Sequence, residues 1–295
     1  MTERPSFPPN LALLASIVAV STASILIRLS AAPPMAIATW RMVLSTLMLL
    51  PFFASGGRPG RLAAMSTREK LALTGVGVVL AVHFASWITS LSLTSVASSV
   101  IFVHVDPIFV ALVSHFILGE RVNGRVAAGI TVAFAGATVI ALSDLGVGQG
   151  NLVGDLLSLI GAVALGTYIL AGRRLRQSLD LVSYVTPVYA TSTALLAAGS
   201  LAMGVPLVGY PGGEMLLFFA IALVPMIFGH TVYNWALRWI SAPVVSISLL
   251  GEPIGASILA YIVLAEAPGP LVLLGGAVTL AGILICAYQP AKAQE

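Results

Sequence analysis

Residues Ala97–Glu120 read ASSVIFVHVDPIFVALVSHFILGE, and residues Pro243–Glu266 read PVVSISLLGEPIGASILAYIVLAE. Each stretch is apolar and long enough to cross a bilayer as a helix. Each carries an acid followed by proline near its middle, and each ends in glutamate. The offset between them is 146 residues: Asp106-Pro107 falls on Glu252-Pro253, Leu118 on Leu264 and Glu120 on Glu266. The match continues with Val126 on Val272, Gly129 on Gly275 and Gly136 on Gly282. An offset shared over that length is an internal duplication. A duplication of membrane-length segments is a signature of transporters.

Composition sets the class. The chain has 295 residues, 58% hydrophobic and 8% charged, with a mean hydropathy of +1.03. A soluble domain carries roughly 25% charged residues. One-third of that share leaves too little polar surface for a water-soluble globule, so the chain is an all-α, polytopic membrane protein. The single cysteine, Cys286, excludes an intramolecular disulfide and supplies no metal cluster. His104 and His115 share a helical face, but two histidines do not complete a metal site; packed or interhelical roles suit them better. No metal and no cofactor are expected.

Ten spans follow from hydropathy and from Pro/Gly punctuation: Leu11–Leu29, Met35–Phe53, Glu69–Leu91, Ala97–Leu118 and Gly124–Leu142, then Leu152–Gly172, Leu181–Met203, Met215–Leu237, Val244–Ala265 and Pro270–Tyr288. They divide into two five-helix repeats, residues 1–146 and 147–295. The first span pairs with the sixth, each with a serine a turn in (Ser16, Ser158) and an arginine at its end (Arg28, Arg173), so it is read as retained and not as a cleaved signal. With both termini on one side, that side holds twelve of the 14 basic residues, all but Arg28 and Arg41. The positive-inside rule then puts both termini in the cytoplasm, and the basic pI of 9.2 reports topology, not nucleic acid. Because five is odd, the second repeat is inverted relative to the first, an arrangement suited to alternating access.

Intramembrane charges are costly and mark function or a partner. Asp106 and Glu252 sit near the middle of their spans, and Arg41 about a third of the way into its own. Two readings stay open for them: a proton-coupling or substrate-ammonium site, or a locked ion pair or carboxyl bonded to backbone freed by the next proline. Pro107 and Pro253 each remove a helix hydrogen bond, which would leave the carbonyls of Val103 and Leu249 without their usual donor. They are the candidate hinges; Pro187 and Pro225 have no matched partners and read as static. The third span places His83, Ser86, Trp87, Ser90 and Thr94 on one face. The eighth carries His230, Tyr233 and Asn234, and Trp87 falls on Tyr233 at the repeat offset. Such a stripe lines a cavity or forms an interfacial belt; Tyr168 is a further candidate for either. Aromatic faces suit an apolar side chain, and amide and imidazole groups suit a zwitterion. Glu120 and Glu266 read as closing their helix ends. The paired glycines of the fifth and tenth spans permit close approach to a neighbouring helix or to a second protomer, so the chain is expected as a monomer or weak dimer.

These features, with Trp40-Arg41 early in the second span and the proline-to-acid endings Pro107…Leu118-Gly119-Glu120 and Pro253…Leu264-Ala265-Glu266, resemble the EamA branch of the drug/metabolite transporter superfamily. The chain looks closest to the YddG-type amino-acid exporters of bacterial inner membranes. The resemblance covers essentially the whole chain. It implies export of small metabolites, aromatic and other neutral amino acids among them, across the inner (plasma) membrane from a central cavity. The runner-up is a broad drug/metabolite or nucleobase-type exporter of the same fold. Ala265 departs from the glycine usual at that position, a change expected to matter little. An enzyme would need a nucleophile or acid–base cluster, and no HExxH, GxSxG, P-loop or paired-carboxylate motif is present.

Overall fold

In lipid every backbone polar group must find its partner within the chain, so spanning segments this apolar fold as helices. The computed structural model describes residues 5, 7–110, 113, 124–145, 149–240 and 242–287, and among them there are helices and turns but no strand. Among the described residues seven helices are long and apolar enough to cross a membrane: Pro9–Leu29, Pro34–Ala54, Thr67–Ser90, Asn151–Leu175, Leu181–Ala202, Gly212–Ala236 and Val244–Leu264. Three shorter apolar helices, Val96–Val110, Ala127–Ser143 and Pro270–Ile285, stand where the fourth, fifth and tenth spans are expected. His115, Leu118, Gly119 and Glu120 lie outside the described residues. Helix starts follow the local chemistry. Ser66 and Glu69 exchange hydrogen bonds in a capping box at the third span, and Asp180 accepts from the Ser183 N–H at 3.2 Å to start the seventh.

The packing is two-fold in character. The fifth span lies on the tenth, the second on the seventh and the fourth on the ninth. The third packs on the sixth as the eighth packs on the first, and the fourth on the sixth as the ninth on the first. Adding five to the span number maps each pair onto itself or onto another. The main core draws on both copies, with Phe84, Tyr168, Tyr184, Tyr189, Phe218 and Tyr233 fully enclosed. Leu14, Val18, Phe134, Leu216 and Ile262 are exposed on the outside, an apolar exterior that fits lipid.

The glycines of the fifth and tenth spans meet one another within the chain. A Cβ added at Gly136 would lie 2.5 Å from the Thr279 nitrogen and 2.6 Å from the Gly275 oxygen, and one at Gly282 would collide with the Ala133 backbone. Backbone cannot yield as a side chain can. Gly282→Ala is therefore expected to cost about 1–3 kcal/mol, the usual penalty of overpacking, read as a lower melting temperature in detergent. Gly75→Ala in the third span, where a Cβ meets nothing within 4 Å, is the control and should be neutral or better.

Both candidate hinge prolines sit just after interruptions of their helices. The fourth span is helical over Val96–Val103, turns at His104 and Val105, and resumes at Asp106; the ninth is helical over Ala242–Ser248, turns at Leu249 and Leu250, and resumes at Gly251. Proline fits the first turn of each resumed segment, where its missing N–H is not needed. The Leu249 carbonyl, whose usual donor Pro253 cannot supply, accepts instead from the Glu252 N–H at 2.8 Å in a tightened turn. Pro225 also does more than kink. The eighth span runs Gly212–Ile221 as α-helix, widens to a π-helix over Ala222–Thr231, and resumes as α-helix at Val232–Ala236. The wider turn relieves the clash of the proline ring with the preceding turn, and such segments favour functional sites. The Thr231 hydroxyl follows the same register, donating to the Met226 carbonyl five residues back at 3.1 Å.

The ninth span ends at Ala265, the only non-glycine residue with positive φ among the described residues, at 52°. The Glu266 N–H closes the turn onto the Ala260 carbonyl at 3.2 Å. A left-handed alanine there costs roughly 1–2 kcal/mol. Ala265→Gly should stabilise the protein by about 0.5–1 kcal/mol after the greater freedom of glycine in the unfolded chain is set against that strain. Thermal unfolding in detergent measures it.

Candidate functional site

The two interruptions and the π segment converge on one small cavity. Its polar wall is His83 and Trp87 of the third span, His104 of the fourth, His230 and Tyr233 of the eighth and Glu252 of the ninth. Val20 and Ala23 of the first span and Leu165 of the sixth supply apolar wall. The void has about 10 Å³ open to the centre of a water-sized molecule, room for a single water. The cavity in this conformation is closed around less than a substrate.

Its rings are mutually packed. His83 stacks on Trp87 with centroids 5.9 Å apart and planes at 11°. His83 and His230 lie 6.1 Å apart across the two copies, and Phe84 sits 5.2 Å from His230. His83 Nδ1 bonds the Gly161 carbonyl at 2.9 Å, and His230 Nδ1 meets the Tyr233 hydroxyl at 2.5 Å. Behind this wall Asn234 donates to the Tyr168 hydroxyl at 2.8 Å and to the His230 carbonyl at 2.6 Å. The Tyr189 hydroxyl meets Thr231 at 3.0 Å. These bonds fix the rotamers that face the void.

Of the seven expected lining residues, His83, Trp87, His230 and Tyr233 line the cavity. Tyr168 and Asn234 form the layer behind it. Ser90 is not brought there: it bonds Ser99 at 2.6 Å and Ser158 at 2.8 Å, tying the third, fourth and sixth spans. Its polarity is used in packing, because small hydroxyls let helices approach and still satisfy one another.

The intramembrane charges do not pair with each other. His104 Nε2 lies 3.3 Å from Glu252 Oε2, an ion-pair distance without hydrogen-bond alignment, while His104 Nδ1 bonds the Val100 carbonyl at 2.9 Å. Asp106 accepts from the Ser246 hydroxyl, linking the fourth span to the ninth. Arg41 is fully buried, with its guanidinium carbon 4.2 Å above the Phe84 ring centroid and 6.0 Å from that of Trp87. Sequence reasoning missed Phe84, although the repeat offset places it on His230. It also missed Ser246, whose partner is 140 residues away.

Matched clasps lie at the two ends. Opposite the basic loops, Arg28 Nη1 donates to the Leu91 carbonyl at 2.7 Å and its Nη2 meets Glu266 Oε2 at 3.1 Å; the other Glu266 oxygen accepts the Val96 N–H at 2.7 Å. Glu266 thus closes across to the fourth span, beyond its own helix end. At the basic end Arg173 Nη1 donates to the Leu237 carbonyl at 2.6 Å. Arg28 and Arg173 are the arginines at the ends of the first and sixth spans, and Leu237 is the repeat partner of Leu91.

The fold and the site together define a polytopic membrane transporter made of two copies of one unit. The model of the EamA-like transporter family matches residues 9–142 and again 152–288, and the chain belongs to that family. It is 25% identical over 225 residues to a transporter of Archaeoglobus fulgidus described only as uncharacterized, covering 73% of each chain. It is 28% identical over 182 residues to a probable terminal-alkyne amino-acid exporter of Streptantibioticus cattleyicolor, covering 61% of this chain and 60% of that one. A solved crystal structure shares the fold with a TM-score of 0.67 at 19% identity, covering 94% of this chain and 96% of the other.

Proposed function

We propose that the protein is a secondary carrier that exports neutral amino acids, aromatic ones foremost, by alternating access around the central cavity. The observation that carries this reading is the cavity wall. Packed rings from both copies surround the void beside a carboxylate, Glu252, and two of the helices that form the wall are interrupted just before Asp106-Pro107 and Glu252-Pro253. Rings offer area to an apolar side chain, and the acid offers a partner to an ammonium. The Streptantibioticus relative, named as an exporter of an amino acid, supports the substrate class. The clasp of Arg28 with Glu266 acts as the outer closure, and release of it goes with bending at Pro107 and Pro253. In this reading the chain is a monomer or weak dimer in the inner membrane, with both termini in the cytoplasm and its second repeat inverted, and it performs no enzymatic step.

The test is counterflow in proteoliposomes loaded with unlabelled candidates, labelled phenylalanine outside, with and without an imposed pH gradient. Accumulation driven by phenylalanine and not by a cationic drug upholds the amino-acid carrier, and insensitivity to the gradient makes it a facilitator. Counterflow with drug or nucleobase alone overturns the substrate and favours the broader exporter.

A further inference from the structure

Arg41 stands eight residues into the second span, with no accessible surface. None of its three guanidinium nitrogens has a hydrogen-bond partner among the described residues. The Phe84 and Trp87 rings beside it supply the visible compensation. A cation over a ring regains only part of what its burial costs, even after relaxation. The charge is therefore held at a deficit inside the membrane, the condition that marks a functional ion. A second donor next to it is in the same state. The Trp87 indole N–H, on the cavity wall, also has no partner among the described residues.

Two neighbouring donor groups without acceptors, one cationic and planar, suit a carboxylate. A guanidinium fork binds both its oxygens, and an indole N–H adds a third bond. The opposite pole is Glu252. The second span packs on the third, seventh and eighth, while the ninth packs on the first, fourth and sixth; Glu252 lines the void, and the Arg41 guanidinium stands 6.0 Å from the ring of Trp87, which lines it too. Resting on the carrier reading above, we propose that Arg41, assisted by the Trp87 indole, is the carboxylate-binding subsite of the cavity. When the cavity expands to admit a substrate, the guanidinium moves from the Phe84 face to the carboxylate.

Four compounds test this as competitors of labelled-phenylalanine counterflow: phenylalanine, phenylalaninamide without the carboxylate, 3-phenylpropionate without the ammonium, and phenethylamine. In the unaltered protein the amide should compete roughly 10- to 100-fold more weakly than phenylalanine, the worth of charged hydrogen bonds. In Arg41→Gln that ratio should fall to about 3-fold or less, with binding of the amide itself changed little, while Arg41→Lys keeps part of the discrimination because it keeps the charge without the fork. Equal competition by acid and amide in the unaltered protein, or an unchanged ratio in Arg41→Gln, overturns the subsite and leaves the carrier standing. If phenylalanine is not transported, the same compounds are scored by the melting temperature of the detergent-solubilised protein. A shift with 3-phenylpropionate that Arg41→Gln abolishes upholds an anion subsite although the amino-acid reading falls; no shift with either carboxylate overturns both. The unaltered protein decides by itself if the variants do not fold.

Discussion

His104→Leu made alone is expected to cost the fold about 3–5 kcal/mol, and the double substitution His104→Leu, Glu252→Leu to recover most of that loss. Both groups are enclosed, with side-chain exposures of 2% and 9%. Removing one partner of a buried pair leaves the other charge without compensation, which is where the large penalty comes from, whereas replacing both by apolar groups is often neutral or better. The measurement is thermal unfolding of the two single variants and the double in one detergent, read as a double-substitution cycle. Additive losses would mean that the 3.3 Å approach carries no coupling and that each residue is held by its own surroundings. Transport separates stability from function. Glu252→Gln keeps the shape and removes the charge, and an ammonium site there should raise the KM for phenylalanine by roughly 10- to 100-fold, the worth of a charge-assisted bond. If Asp106→Asn and Glu252→Gln leave transport intact and independent of the proton gradient, neither acid couples protons.

The large features of the fold were legible because they are periodic. The 146-residue offset needs only alignment of the chain with itself, and hydropathy placed the ends of the long spans within about three residues of the helices observed. Positions within a helix were legible where spacing alone decides the face, as with His83 and Trp87 at i and i+4. Interactions that depend on which helix stands opposite were not. Arg41 invites an acid partner in sequence, yet it lies on Phe84, because the acids it could meet are taken by His104 and Ser246 from other spans. Ser90 shares the stripe with Trp87 and still turns toward two serines, because its level in the helix faces the sixth span and not the void. Pro225 has no repeat partner, and only the structure reveals the π-helix around it that precedes Tyr233. Ala265 could be placed by motif, but its cost became visible only with its φ angle.

Trp87→Ala should raise the KM for phenylalanine and tryptophan by about 10-fold or more beyond its rise for alanine. The ring is 3% exposed, stacked on His83 and part of the cavity wall. Losing one aromatic contact face forfeits about 1.5–3 kcal/mol of apolar burial for a substrate that fills it, and each 1.4 kcal/mol is tenfold in affinity. A methyl side chain never reaches that area, so alanine loses only what the indole N–H gives its carboxylate. Trp87→Phe separates the ring from its N–H. The face survives, so the preference for aromatic substrates should survive with it, while any bond from the indole to a carboxylate is lost for every amino acid alike. Equal rises for phenylalanine and alanine in Trp87→Ala, with a matching fall in melting temperature, would instead make Trp87 a packing residue of the third span and move the side-chain pocket toward His230 and Tyr233. The cavity is too small in this conformation for any amino acid, so the side chain must be admitted by separating the stacked rings. Substrates that restack between them regain what opening costs, and that is the physical reason to expect aromatic side chains to be favoured over small ones.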